Sequence, residues 1–210
     1  MSRRRSLPRV LSANEQQTLL AQFDTRYPSG LRNLLLVRLM LECGLRSGEV
    51  VALRPEHLDL STGRLLVREG KGAKDRVVWF SEDLGSVLAR WLSGRPGSRW
   101  LFPTRSGKQI DTRYLREMVK RKAAKADIPD ASGVTPHALR HSFATDLFRD
   151  TRNIRLTQKA LGHANLATTM LYTHLVDEEL ERAMRKGRSP GSLCPPARQP
   201  TPVVPNVPAI

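Results

Sequence analysis

A chain of 210 residues bearing 35 Lys and Arg against 20 Asp and Glu carries a formal net charge of +15, with an isoelectric point near 10.9. Such a field draws polyanions, nucleic acid being the commonest, and 40% hydrophobic content is enough for one buried core. Two cysteines, Cys43 and Cys194, exclude a disulfide framework, no apolar run approaches the roughly 20 residues of a membrane span, and the basic start (Arg3, Arg4, Arg5) lacks the apolar stretch of a secretory signal. The expectation is a soluble, cytoplasmic protein without membrane contact.

Ser12-Ala13-Asn14-Glu15 has capping-box spacing, so a helix is predicted over 12–23. A more apolar helix follows over 31–42 and is stopped by Gly44. Arg46, just past that stop, opens a short helix through Val51. Between residues 55 and 80 the pattern changes: 58–60, 64–68 and 76–80 read as strands, joined by Ser61-Thr62-Gly63 and Gly70-Lys71-Gly72 turns. Helices return over 82–92 and, behind the N-caps Asp111 and Thr112, over a basic stretch to about Ala126. Thr135 before Pro136 starts another helix, with proline in the first position, where its missing N–H costs nothing. Shorter helices are predicted near 154–161, 167–172 and 177–186. Residues 187–210 hold half of the 14 prolines and read as a disordered tail. The fold class is α+β, mostly helical, with a small antiparallel sheet near residues 56–80.

His137 and Arg140 stand at i and i+3, on one helix face. His163 follows the Leu161-Gly162 helix end, and Tyr172 lies nine residues further on. Arg46 and Lys71 sit beside glycines at element boundaries, where side chains often reach a site. Each singly has an ordinary explanation: a solvated face, a core tyrosine, a soluble turn. Together, two arginines, two histidines, a lysine and a tyrosine can bind a phosphate and supply acid, base and nucleophile. No acidic cluster accompanies them to hold Mg²⁺, so a two-metal nuclease is disfavoured and no metal or other cofactor is expected. His137 and His141 have i, i+4 spacing, but Ala138 stands where a zinc protease needs glutamate. The segment around Gly70-Lys71-Gly72 lacks P-loop spacing, and no serine sits in a nucleophile elbow.

Cys43-Gly44-Leu45-Arg46-Ser47-Gly48-Glu49 resembles the first arginine box of the tyrosine recombinase (phage integrase) family. Glu69-Gly70-Lys71-Gly72-Ala73-Lys74-Asp75-Arg76 resembles its hairpin lysine segment, and Thr135-Pro136-His137-Ala138-Leu139-Arg140-His141-Ser142-Phe143-Ala144-Thr145 its second arginine box. Leu161-Gly162-His163 and Thr168-Thr169-Met170-Leu171-Tyr172-Thr173-His174 are similar to its last histidine and nucleophile boxes. All five stand in family order over residues 10–186, with an Xer-like or integrase-like flavour.

The resemblance implies a site-specific DNA strand transferase that needs neither metal nor ATP. Tyr172 attacks the scissile phosphate in line and forms a 3′-phosphotyrosine; Arg46 and Arg140 clamp the non-bridging oxygens; His163 donates a further hydrogen bond. Lys71 protonates the 5′-oxygen, with Lys74 a competitor for that role, and His137 helps the proton leave Tyr172. Glu49, one turn from Arg46, either orients it or forms an exposed ion pair. Arg113, Arg116 and Lys120 share one face of the basic helix, and Arg121, Lys122 and Lys125 extend it as a surface for double-stranded DNA. By domain, residues 1–11 form a basic arm, 12–186 the catalytic domain and 187–210 the tail; the family's N-terminal core-binding domain is expected to be absent. A homotetramer on nucleoid DNA, with a monomer possible in solution, is implied. Two other functions stay open: a non-catalytic DNA-binding relic or regulator, and a type IB topoisomerase or telomere resolvase.

Overall fold

The computed structural model describes residues 9–68 and 75–162. The turn Gly70-Lys71-Gly72, the helices predicted at 167–172 and 177–186, and the 187–210 tail lie outside the described residues. So do Lys71, Lys74, His163 and Tyr172.

Helix α1, Ala13–Leu20, begins as its capping box requires: the Ser12 hydroxyl accepts the Glu15 amide (3.3 Å) and the Glu15 carboxylate accepts the Ser12 amide (2.8 Å). It ends three residues before the predicted limit. Helix α2, Pro28–Glu42, starts three residues earlier than its apolar pattern suggested, because Pro28 fits the first turn of a helix. Apolar residues line α2 on several sides (Leu31, Leu35, Leu36, Val37, Leu39, Met40, Leu41), and all are buried, so it runs through the core with α4 and α6 against it. The short α3, Ser47–Val51, follows at once.

The three-stranded antiparallel sheet runs in the order β1 (Leu58–Asp59), β2 (Arg64–Val67), β3 (Arg76–Trp79). Leu65 pairs with Val78 and Val67 with Arg76. By the two-residue period of strands, Leu65, Val67, Val78 and Arg76 therefore share one face, and the three apolar members are buried. Helix α4, Glu82–Gly94, is capped by Ser81; α5, Thr112–Lys125, by Asp111; α6, Pro136–Thr151, by Thr135. Asn153 caps α7, Ile154–Leu161, which ends at Gly162 in the left-handed region (φ +65°). Two short 3₁₀ turns, Pro55–His57 and Ala131–Gly133, were not predicted. Among the described residues no helix is long and apolar enough to cross a membrane.

Candidate active site

Glu49 organises the site. As third residue of α3 its carboxylate accepts the Arg46 backbone amide (2.7 Å), which fixes the helix start. The same carboxylate accepts the Arg46 guanidinium (2.7 Å) and a two-pronged contact from Arg76, Nη1 to Oε1 and Nη2 to Oε2, both at 2.8 Å. Arg140 Nη1 stands 3.7 Å from Oε2. The Glu49 side chain is only 8% exposed, so this is a buried junction and not the exposed helical ion pair that the sequence left open. Burial alone raises the Glu49 pKa. Hydrogen bonds from Arg76 and the Arg46 amide, with the charges of Arg76 and Arg140, outweigh that and bring it down to about 2. Among the described residues, Glu49 thus draws three guanidiniums into one cluster, a chemistry suited to gripping an anion.

Arg140, on the first half of α6, is buried and joins two distant segments. Its Nη1 donates to the Gly44 carbonyl, and its Nη2 to the Leu161 carbonyl (2.5 Å) at the end of α7. The first contact ties it to the chain that carries Arg46, and the second to the residue two places before His163. Gly44 is in the left-handed region (φ +65°), and a Cβ there would lie 2.3 Å from the Phe143 ring. Gly44→Ala therefore loses about 1–2 kcal/mol from backbone conformation alone and also displaces Phe143 or the carbonyl that holds Arg140. A fall in melting temperature is expected, measured by thermal unfolding of the purified variant.

His137 and His141 face each other across one turn of α6, Nε2 to Nε2 at 2.8 Å with rings nearly perpendicular. Partial burial, then the charge of Arg140, lowers the His137 pKa. Sequence reasoning missed both His141 and Arg76. For Arg76 the sequence carries no parity signal, since Val77 and Trp79 are as apolar as the inward Val78.

The structure thus gathers Arg46, Glu49 and Arg140, adds Arg76, and places His137 three residues from Arg140 on the same helix. On α5, Arg113, Arg116 and Arg121 are exposed and Lys120 half-buried. Lys122 differs: its ammonium donates to the Gln22 carbonyl (2.6 Å) and sits over the Phe23 ring (5.1 Å), turned toward the end of α1 rather than outward.

The family model described as the phage integrase family matches residues 9–179. This chain belongs to the phage integrase family. It is 39% identical to the tyrosine recombinase XerD of Ralstonia nicotianae, over 83% of this chain and 58% of that protein. It is 38% identical to XerA of Thermococcus kodakarensis, over 88% and 64%. The chain thus spans less than two thirds of the length of these relatives. Among solved structures, the XerH recombinase bound to a palindromic difH substrate in a post-cleavage complex superposes with a TM-score of 0.74 at 31% identity, covering 85% of this chain and 53% of that one. The catalytic domain of bacteriophage HP1 integrase does so at 0.60 and 26%, covering 85% and 94%. The fold is that of a tyrosine recombinase catalytic domain.

Proposed function

We propose that this chain breaks and rejoins double-stranded DNA at specific sites through a covalent 3′-phosphotyrosine, with Tyr172 as nucleophile. The observation that carries the reading is the buried Glu49 junction, which presents Arg46, Arg76 and Arg140 as one cationic cradle. A phosphate in transfer gathers charge on its non-bridging oxygens, and preorganised guanidiniums stabilise that charge without reorganising. His137 accepts the tyrosine proton, Lys71 (or Lys74 in its place) delivers one to the departing 5′-oxygen, and His163, two residues past the carbonyl that anchors Arg140, adds a hydrogen bond to the phosphate. The bond energy is kept in the phosphotyrosine linkage, so rejoining needs no ATP. Arg113, Arg116, Lys120 and Arg121 on α5 hold the DNA backbone. The 31% identity to a recombinase in a post-cleavage DNA complex supports the partner. We further infer a homotetramer on DNA, acting in the cytoplasm, as the active assembly.

The test is a nicked suicide duplex that loses the fragment carrying the 5′-hydroxyl after cleavage. Protein–DNA adducts resistant to denaturing gels are expected with the wild-type chain and absent with Tyr172→Phe. Adducts that persist in the variant would remove Tyr172 as nucleophile. No adduct on any duplex, with binding intact, would favour a DNA-binding relic.

A further inference from the structure

Arg32 and Asn33, near the start of α2, are buried beneath the exposed Tyr114 of α5. Arg32 Nη1 donates to the Pro103 carbonyl (2.9 Å), and its Nε and Nη2 to the Asn33 Oδ1 (3.2 and 3.1 Å). Nη2 also donates to the Tyr114 hydroxyl (3.3 Å). A guanidinium only donates, so the Asn33 atom facing it must be oxygen. That settles the amide's orientation and turns Nδ2 toward the Tyr114 hydroxyl, to which it donates at 3.1 Å. The tyrosine oxygen thus accepts twice, and both lone pairs are occupied. Its remaining capacity is its own hydrogen, which no acceptor among the described residues takes. Tyr114 as a whole is 41% exposed, so that hydrogen is left for a group from outside the described residues.

The charge behind it is unusual. No carboxylate among the described residues pairs with Arg32. A buried cation without a counter-charge weakens a fold, and a hydroxyl that merely meets water needs no such support. An anion in front of Tyr114 would supply the missing charge. The adjacent residue on the same helix, Arg113, is an exposed cation that favours the same ligand. We propose that the Tyr114 hydroxyl donates to a non-bridging oxygen of a DNA backbone phosphate, with Arg32 and Asn33 as the buried clamp that aims and polarises it. The inference rests on the DNA-acting reading above and adds to it a fixed, uncharged anchor that sets the position of α5 on the duplex.

A labelled 30-base-pair duplex titrated by fluorescence anisotropy at several salt concentrations tests it. Tyr114→Phe keeps the ring and is expected to bind about 5- to 10-fold more weakly at every salt concentration. The slope of log Kd against log salt stays unchanged, because a hydroxyl displaces no counterion. Arg113→Ala, by contrast, reduces that slope by about one. Asn33→Asp provides the second variant: it gives Arg32 a carboxylate and offers Tyr114 an inward acceptor for its hydrogen. Tyr114→Phe should then have no further effect on binding in the Asn33→Asp background. Wild-type affinity in Tyr114→Phe, or an undiminished Tyr114→Phe effect in the Asn33→Asp background, overturns the anchor while leaving the DNA reading intact. Failure of the wild-type chain to bind duplex overturns both.

Discussion

Glu49→Gln is expected to lower the stability of the fold by about 3–5 kcal/mol at neutral pH, although it removes no atoms from the core. The substitution keeps the shape and the hydrogen-bonding length but deletes a carboxylate shared by Arg46, Arg76 and Arg140. Arg76 and Arg140 are 9% and 6% exposed, so water cannot replace what they lose. The wild-type pKa gives a second route to the same quantity. A carboxyl moved from 4.5 to about 2 on folding corresponds to about 3 kcal/mol of linkage. The folded pKa is depressed, so the stabilisation is present in full above the unfolded pKa and disappears as pH falls from there through about 2. The gap between wild type and Glu49→Gln, measured by denaturant unfolding, should therefore be wide at pH 7 and close toward pH 2. Other carboxylates titrate over the same window, but they are common to both proteins and cancel in the difference. A gap that does not narrow on acidification would show that the Glu49 charge is not what holds the junction.

Much of this site was legible because its parts are local. The Ser12–Glu15 box, the Thr135-Pro136 start, and Gly44 and Gly162 as helix stops are each set by a few adjacent residues, and the structure shows all four. Arg46, Glu49, His137 and Arg140 stand in two such local stretches, at the start of α3 and on α6. What escaped depends on register and tertiary approach. Arg76 reaches Glu49 only because Val67 pairs with Arg76, and slipping that register by one residue would turn its side chain outward. Arg32, Asn33 and Tyr114 come from helices some eighty residues apart in the chain and carry no shared motif. Lys122 could have been separated from the DNA face by geometry alone. At about 100° per residue it lies roughly opposite Arg113, on the side of the buried Met118, where the structure finds it.

Arg140→Lys should slow strand cleavage by about 10²- to 10³-fold under single-turnover conditions while leaving duplex affinity nearly unchanged. The charge is preserved, so any loss reports geometry. Arg140 uses separate nitrogens on the Gly44 and Leu161 carbonyls and approaches Glu49 with the same head group. That planar fork fixes its own orientation. An ammonium on a flexible stem can satisfy one carbonyl at a time and cannot present two parallel donors to an oxyanion. The freed carbonyl also lets the ends of α2 and α7 shift apart. Stability should fall less than in Glu49→Gln, by about 1–3 kcal/mol, because one hydrogen bond is lost and no charge is stranded. Cleavage rate and unfolding free energy are thus expected to separate in opposite order for the two variants: Glu49→Gln is the more destabilising, and Arg140→Lys loses more rate per unit of lost stability. A cleavage rate in Arg140→Lys that tracks only the fraction of folded protein would reduce Arg140 to a structural tie between α6, α2 and α7.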